Sequence, residues 1–363
     1  MWSKTKFTRL LGTNYPIVLG PFGGGLSSVE LTSTVSNLGG LGSFGAQPFT
    51  YDQIIECNNF IKQKTNQPYA INLWVDDRDV RLNSFGEAEY EKLKQLFKPY
   101  FDEFGVPMPE RSADLGPTYE DQIQAILDAK PPVFSFVFGI PTQEVLEQCR
   151  SNNIVTIGAA TTADEAVAVE KAGVDAVVAT GFEAGGHRVS FLRSAEDSLT
   201  GTFSLVPQVA DSVSIPVIAA GGIADARGIK AAFALGADAV QIGTAFLATK
   251  QSNATEEHKR KLFSNDAKYT TLTKLFTGRL ARGIKSRLTD ELKNEEHLVA
   301  PYPLQSLFLS ALRSGVLSKG KSEYITFWSG QSASLLKFRD STELFASLVE
   351  QTNQLFTAEN TNH

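Results

Sequence analysis

The sequence predicts an α/β protein: a (β/α)₈ barrel with an insertion after its third strand and a C-terminal helical region packed on the barrel. Short apolar segments alternate with helical segments up to about residue 250, and eight of the apolar segments are strand candidates. They are apolar on both faces, as expected for a parallel sheet covered on both sides. Eight such units fit a closed barrel better than a doubly wound sheet. No Gly-x-Gly-x-x-Gly motif follows an early strand, which further disfavours a dinucleotide-binding sheet.

Each predicted strand is followed by a helix or a loop with recognisable ends. Ser27 or Ser28 can cap the first helix of the repeat, and Gly39 can end it. The predicted strands are 17–19, 41–44, 69–73, 133–138, 154–157, 176–179, 217–219 and 239–242. The predicted helices between them are 28–38, 50–64, 118–129, 142–151, 162–172, 204–212 and 225–234.

Residues 76–117 interrupt this alternation. They are first charged, then aromatic, then rich in Pro and Gly, with one helix predicted over 86–100. A long loop in a compact domain is more often a lid than a linker. Beyond residue 250 the alternation ends, and we expect a helical region over 251–363 that packs on the barrel (1–250) and contributes to the substrate pocket. Its polar tail, 357–363, is expected to be frayed.

Composition excludes several classes of protein. The formal net charge of −6 argues against a nucleic-acid partner, which would need a basic patch or stripe. We expect no membrane span, because the chain lacks a run of about 18 apolar residues. Cys57 and Cys149 are expected to be free thiols, and such sparse use of cysteine suits a reducing cytoplasm. No His or Cys pair has the spacing of metal ligands, so no metal site is predicted. A homo-oligomer is compatible with the sequence.

A glycine-rich loop after the sixth predicted strand carries the strongest candidate for chemistry. It reads Gly-Phe-Glu-Ala-Gly-Gly-His-Arg over 181–188. Its glycines allow backbone to approach a ligand closely, and barrels place their chemistry at the carboxyl ends of strands. His187 is therefore the predicted catalytic residue, with an ordinary pKa near ~6.5. Glu183 is expected to tie the loop to backbone or to an arginine, and Arg188 to be a solvated structural charge. The other histidines are expected at the surface: His258, His297 and His363.

Two glycine clusters at the ends of the last two predicted strands indicate a phosphate site. Gly221 and Gly222 follow the seventh strand, and Gly243 and Thr244 follow the eighth. Barrels commonly bind a phosphate with these two loops. Glycine lets backbone N–H groups crowd an anion, and a helix N-terminus adds the positive end of its dipole. The Thr244 hydroxyl can donate as well.

The loop after the first predicted strand adds glycines at the same mouth of the barrel. Residues 20–25 read Gly-Pro-Phe-Gly-Gly-Gly, and glycines there allow a flat ring to lie against backbone. Asn72 ends the third strand, inside an otherwise apolar segment, where its amide can hydrogen-bond the edge of such a ring.

Together these segments resemble the nitronate monooxygenases of the first class, formerly called 2-nitropropane dioxygenases. The likeness extends from about Phe7 to Gln331, and its histidine loop is shared with a wider set of flavin barrels that includes FMN-dependent enoyl-acyl-carrier reductases. Two later segments favour the nitronate enzymes: TGRLARG (277–283) and WSGQ (328–331). The other matching segments are PIVLGPFGG (16–24), VSNLGGLG (35–42), FSFVFG (134–139), EAGGHR (183–188) and AAGGI (219–223).

The resemblance implies FMN as the cofactor and assigns roles to individual residues. His187 is implied to be catalytic, and Tyr302 to line the substrate pocket. The loops after the seventh and eighth strands are implied to hold the flavin phosphate, and the loop after the first strand to lie near the ring. The residues implied to contact FMN are Pro21, Phe22, Gly23, Asn72, Gly186, Gly221, Gly222, Gln241, Gly243 and Thr244.

The chain departs from the family pattern at several positions. Phe22 stands where many members have Met. Many members also have a Tyr-x₃-Tyr-x₃-Lys pattern along the substrate pocket. Tyr302 matches its first residue, but Ser306 and Ser310 occupy the other two places. FMN binding survives these departures, whereas the identity of the substrate does not follow from the resemblance.

The implied reaction is oxidation of an alkyl nitronate, such as propionate 3-nitronate, or of a nitroalkane, with O₂ to a carbonyl compound and nitrite. A neutral His187 could take the α-proton of a nitroalkane, and a protonated one could hold the anionic nitronate. Two alternatives stay open. One is an FMN-dependent NAD(P)H reductase of an enoyl thioester or quinone; the other is a non-catalytic barrel that senses a phosphate-bearing metabolite.

Overall fold

The structure, a computed structural model, describes residues 2–76 and 78–357. In chain order its strands are β1 (Ile17–Leu19), β2 (Gly42–Gly45), β3 (Tyr69–Trp74), β4 (Val133–Val137), β5 (Val155–Ala160), β6 (Ala176–Thr180), β7 (Gly186–His187), β8 (Val217–Ala220), β9 (Ala239–Ile242), β10 (Thr270–Thr273) and β11 (Ala281–Ile284). Its α-helices are α1 (Lys6–Leu11), α2 (Val29–Asn37), α3 (Tyr51–Lys64), α4 (Glu87–Phe104), α5 (Tyr119–Ala129), α6 (Gln143–Ser151), α7 (Ala163–Lys171), α8 (Thr202–Ser212), α9 (Ala226–Ala234), α10 (Thr244–Leu247), α11 (Glu256–Leu262), α12 (Arg287–Glu291), α13 (Leu304–Ser318) and α14 (Ser341–Thr357).

Within the described residues, eight parallel strands form the predicted barrel. Their order is β1-β9-β8-β6-β5-β4-β3-β2. The cylinder closes between β1 and β2, because the Leu41 N–H donates to the Ile17 carbonyl and the Leu19 N–H to the Leu41 carbonyl, both at 2.9 Å. The seventh and eighth predicted strands are β8 and β9.

Alternation along the strands separates two apolar clusters. In β1, Val18 belongs to an inner cluster, whereas Ile17 and Leu19 pack outward against the helices. The same parity places Ala70 of β3 and Ile218 of β8 inside. Whether a residue occupies an odd or an even position along its strand therefore decides whether its side chain faces the barrel mouth.

The insertion predicted over 76–117 packs against the C-terminal region. Its helix, α4, contacts α13, where the Phe308 ring lies 5.3 Å from the Phe101 ring and 5.6 Å from the Phe97 ring. After α4 the insertion returns towards the barrel mouth. Arg78 fixes this last part of the insertion, because its guanidinium donates to the carbonyls of Leu115 and Gly116, both at 3.0 Å.

The region after residue 250 is largely helical, as predicted, but it also contains two strands that the sequence analysis missed. Antiparallel β10 and β11 form a second sheet with β7, the strand of the histidine loop. The short N-terminal helix α1 was missed as well. The predicted frayed tail lies outside the described residues from position 358 onward. None of the described helices combines the length and the hydropathy needed to cross a membrane.

Candidate active site

A cavity of about 510 Å³ opens at the carboxyl ends of the barrel strands. Its size is ordinary for a site that holds a cofactor or a small ligand. The structure brings every predicted site residue to this one cavity. Those that line it are Pro21, Phe22, Gly23, Asn72, Gly186, His187, Gly221, Gly222, Gln241, Gly243, Thr244 and Tyr302.

The floor of the cavity is polar because three polar residues occupy strand positions whose side chains face the inside of the barrel. Asn72, Ser135 and Gln241 have the same inward parity as the apolar residues two positions before them. β3 and β4 pair Asn72 with Ser135, and the Asn72 Nδ2 donates to the Ser135 Oγ at 3.0 Å. The unusual asparagine noticed in the sequence is thus fixed by a hydrogen bond at the base of the site.

The end of the cavity at β6 and β8 is built from backbone. Gly221 and Gly222 have φ values of 109° and 74°, in the left-handed region that favours glycine. A Cβ on Gly221 would lie 2.8 Å from the Thr202 Oγ1 and 3.0 Å from the Gly181 carbonyl oxygen, so no side chain fits there. Because no side chain fits at Gly221, backbone atoms line this part of the cavity. Backbone N–H groups can then approach an anionic group closely.

The loop after β9 is partly as predicted. Gly243 and Thr244 line the cavity and begin α10, but this helix is a single turn, so its dipole contributes less than that of a full helix. The Thr244 Oγ1 accepts a hydrogen bond from the Gly330 N–H at 2.9 Å. Its own hydroxyl proton is therefore available to a ligand oxygen. This contact also brings the 328–331 segment to the glycine-rich end.

Glu183 anchors the histidine loop, as predicted, and it does so at the start of α8. Both carboxylate oxygens accept from the Thr202 N–H at 2.9 Å, and the Thr202 hydroxyl donates to Oε2 at 2.8 Å. A carboxylate is stabilised at a helix N-terminus by the unsatisfied N–H groups there. Glu183 therefore holds the loop in place.

The prediction for Arg188 was wrong, because this arginine is buried rather than solvated, with 1% of its surface exposed. Its Nη1 donates to the carbonyls of Thr180 and Gly181, and its Nη2 to that of Ser198. Burial lowers its pKa to about 10, so the side chain stays charged at neutral pH. Arg188 ties the two ends of the loop to each other from inside the protein.

His187 is positioned by a strand from the distant C-terminal region. In β7 it pairs with Ala281 of β11, and the Arg188 N–H donates to the Leu280 carbonyl at 2.8 Å. The TGRLARG segment therefore lies directly beside the histidine. Rings surround the imidazole, with centroid distances of 4.9 Å to Trp74 and 5.5 Å to Trp328.

A hydroxyl contact favours one tautomer of His187. The Nε2 lies 2.9 Å from the Thr277 Oγ1, whose own hydroxyl donates to the Arg279 carbonyl at 3.0 Å. With the threonine proton in that bond, the matching tautomer has Nε2 as the donor towards Thr277. In the neutral ring Nδ1 then has the lone pair, and it can accept a proton.

The pKa of His187 departs from the ordinary value for histidine. Burial among the rings, and after it the positive charge of Arg279, lowers the pKa from 6.5 to about 3. Arg279 is a close neighbour: its guanidinium lies 4.4 Å from the Phe138 ring and 4.9 Å from the Tyr302 ring. The imidazole is therefore neutral at physiological pH, which supports a role as proton acceptor and not as a cationic anchor.

A tight turn brings Thr277 next to Tyr302. Gly278 has a φ of 85°, and a Cβ there would lie 2.3 Å from the Ala300 carbonyl oxygen, so only glycine fits. The Tyr302 hydroxyl accepts a hydrogen bond from the Gln47 Nε2. Ser306 lines the cavity beyond Tyr302, whereas Ser310 is exposed.

Three residues that shape the site were not predicted from the sequence: Trp74, Thr277 and Trp328. Each lines the cavity and contacts His187. For Thr277 and Trp328 a signal was present, because both lie in the segments that set the resemblance apart from other flavin barrels. For Trp74 no comparable signal exists.

The prediction that His258 lies at the surface was also wrong. It is 2% exposed, and its Nε2 donates to the Trp328 carbonyl at 2.9 Å. Burial lowers its pKa to about 4. The neutral ring thus supports the backbone of a tryptophan that contacts His187. His297 is exposed, as predicted, and His363 lies outside the described residues.

Comparison with known proteins decides the family. Residues 4–351 match the sequence profile described as nitronate monooxygenase. The chain belongs to the nitronate monooxygenase family. The resemblance found in the sequence is therefore confirmed, and the protein is an oxidoreductase for which the family implies a flavin.

Individual relatives cover nearly the whole chain. A probable nitronate monooxygenase of Staphylococcus aureus (strain Newman) is 38% identical over 356 residues, which are 98% of this chain and 99% of the relative. The solved structure of a nitroalkane oxidase from Streptomyces ansochromogenes has a TM-score of 0.88 and 34% identity, covering 98% of this chain and 99% of that one. FabK from Thermotoga maritima has a TM-score of 0.75 and 27% identity, covering 99% of each chain.

Proposed function

We propose that this nitronate monooxygenase binds FMN and oxidises alkyl nitronates with O₂ to a carbonyl compound and nitrite. The observation that carries the proposal is a neutral histidine in the wall of a cavity that is also lined by glycine backbone at the ends of β8 and β9. Family membership and the nitroalkane oxidase relative support the substrate class.

The glycine-rich end fits the phosphate of FMN. We propose that Gly221, Gly222, Gly243 and Thr244 hold that group through backbone N–H groups and the threonine hydroxyl. The contacts proposed for the rest of FMN involve Pro21, Phe22, Gly23, Asn72, Gly186 and Gln241. When bound, FMN supplies the electron acceptor and the centre at which O₂ reacts.

His187 supplies the proton chemistry in this proposal. Its Nε2–H is held by Thr277, so Nδ1 can take the α-proton of a neutral nitroalkane and convert it into the nitronate. A positioned base typically contributes about 10²–10⁴-fold in rate. A substrate that arrives as the nitronate has no α-proton for His187 to remove, and Tyr302 lines the pocket in which it would lie.

We further propose a functional division of the chain. Residues 1–250 form the FMN-binding barrel, and residues 251–363 complete the substrate pocket, since Thr277, Tyr302, Ser306 and Trp328 all line the cavity. We place the protein in the cytoplasm, because Cys57 and Cys149 are both buried free thiols, which suits a reducing compartment.

Purified protein tests the proposal directly. We expect yellow protein that releases FMN on denaturation, consumes O₂ and forms nitrite from ethyl nitronate. The flavin should be bleached anaerobically by the nitronate and not by NAD(P)H. Rapid bleaching by NAD(P)H alone would support the reductase alternative, for which the likeness to FabK is the relevant observation. Colourless protein that cannot be reconstituted with FMN would support a non-catalytic barrel.

A further inference from the structure

The wall around His187 consists of rings, aliphatic side chains and hydroxyls. Trp74, Trp328 and Tyr302 contribute the rings, with Tyr302 lying 5.2 Å from Trp74 between ring centroids. Pro303 and Leu307 contribute aliphatic surface next to them. A substituent on the reacting carbon of a substrate would lie against this wall.

Helix α13 presents Ser306 to the cavity in its first turn. The residue is half-buried, and its neighbour Leu307 also lines the cavity. The opposite side of the helix is fixed by Phe308, which packs against Phe97 and Phe101 of the insertion. Ser306 is therefore a small polar position in a rigid wall.

Neither nearby arginine lines the cavity, although the positive charge of Arg279 reaches His187. The Arg279 guanidinium lies behind the rings of Phe138 and Tyr302, where its Nη1 donates to the Asp76 carbonyl at 2.7 Å and its Nη2 is 3.6 Å from the Asp76 Oδ2. Arg78 donates to carbonyls of the cavity-lining segment 115–117. Among the described residues, the side chains that line the cavity are all uncharged at neutral pH.

Such a wall discriminates between substrates by the charge of their substituent. A nitronate spreads one negative charge over its carbon and two oxygens. A second carboxylate on the same molecule would have to leave water and lie against rings and aliphatic carbon, and an ion that is desolvated without a partner is strongly disfavoured. An alkyl substituent gains from the same burial.

We propose that the site selects nitronates with an uncharged alkyl substituent over those that carry a carboxylate, and that the absence of charge at position 306 contributes to this preference. The inference rests on the proposed function and deepens it by naming the substrate class. Its chemistry is that of the proposed reaction: the substrate loses its C–N bond to nitrite while O₂ is reduced.

Two nitronates of nearly equal shape test the preference. Propionate 3-nitronate and the nitronate of 3-methyl-1-nitrobutane differ in having a carboxylate or an isopropyl group at the same position. We expect kcat/KM to be at least about 100-fold higher for the isopropyl compound, which corresponds to about 2.7 kcal/mol. Equal values, or a preference for the carboxylate, would overturn the inference and leave the proposed function intact. If neither compound yields nitrite, the proposed function fails and the inference with it.

Variants at α13 then test the residue. Ser306→Lys places a cation in the wall and should raise kcat/KM for propionate 3-nitronate relative to the alkyl compound by about 10-fold or more. Ser306→Met, of similar length and without charge, should keep the original preference. Ser314→Lys adds the same charge two turns further along, where the residue is exposed, and should leave both values unchanged. If Ser306→Lys and Ser306→Met have the same ratio, the charge at position 306 does not contribute to the preference.

Discussion

The two ends of the cavity are built in different ways. The end formed at β6, β8 and β9 presents backbone, and at Gly221 the space for a side chain is already filled by neighbouring atoms. The end around His187 presents side chains that converge from β3, from β7 and from the region after residue 250. The first is formed mainly by strand ends of the barrel, with one contact from Gly330, whereas the second needs the insertion and the C-terminal region to hold it in place.

This difference separates binding from chemistry. Backbone groups fixed by strand ends suit a constant anionic group, because their geometry varies little when side chains change. A wall of side chains can be altered one residue at a time, as the departure at Ser306 indicates. We therefore expect substitutions at the glycine-rich end to remove the cofactor and substitutions at the other end to change turnover or selectivity with FMN still bound.

The largest effect is expected from Gly243→Asp, which puts a carboxylate beside the proposed phosphate site. The nearest atom to a Cβ at this position is the Phe22 Cε1 at 3.9 Å, so the side chain fits without strain. Repulsion between like charges costs several kcal/mol, and FMN should be lost on purification. Flavin content per chain is the measurement, and Gly243→Ala is the matched control that should stay yellow. A yellow Asp variant would show that the phosphate lies elsewhere.

The next effect concerns His187→Ala at the opposite end. We expect full flavin content and a loss of about 10²–10⁴-fold in kcat for a neutral nitroalkane, since the proton acceptor is gone. A preformed nitronate, which has no α-proton to lose, should be affected less. Nitrite release from the two substrates under identical conditions measures the difference. Unchanged turnover of the nitroalkane would exclude His187 as the base.

The low pKa of His187 predicts an unusual pH profile for the neutral nitroalkane. An imidazole with a pKa near ~6.5 would lose about 30-fold of its basic form by pH ~5. With a pKa of about 3, the basic form should persist to below that pH and be lost only as the pH approaches the folded-state value. Initial rates in short assays from acid to neutral pH test this, with activity rechecked after return to neutrality. A decline centred near pH ~6.5 would contradict the lowered pKa.

The smallest effect is expected from Thr277→Val, which removes the acceptor for the Nε2–H while keeping the shape of the side chain. A single hydrogen bond contributes about 1 kcal/mol, or roughly fivefold, and the loss should appear in kcat for the nitroalkane with flavin content unchanged. Thr277→Ser keeps the hydroxyl and should restore the rate. Equal rates for Val and Ser would mean that the hydroxyl does not select the tautomer.

The sequence predicted the glycine-rich end more completely than the ring-lined end. Gly221, Gly222 and Gly243 follow strands that are recognisable from local apolar runs, and all reach the cavity as expected. Trp74 and Trp328 were missed because their meeting depends on contacts between segments about 250 residues apart, which local patterns do not encode. Strand β11 was missed for a similar reason, since it pairs with the histidine loop, and β10, which pairs with β11, was missed with it.

The wrong predictions for two buried polar residues, Arg188 and His258, had a different origin. Arg188 and His258 were expected to be solvated, because polar residues usually are. Both are buried with their polar atoms directed at backbone carbonyls. For His258 the surrounding sequence is misleading, since α11 exposes Glu256 while burying His258 and Leu262 on its other side.

The pairing of β7 with β11 makes the orientation of the imidazole a joint property of two distant parts of the chain. A chimaera that kept residues 1–250 and exchanged the remainder with that of a relative would retain the glycine backbone of the barrel but inherit a foreign neighbour for the histidine. In such a hybrid the ring would be aimed by the incoming segment, so exchange of the second part offers a way to diversify the chemistry on an unchanged cofactor platform.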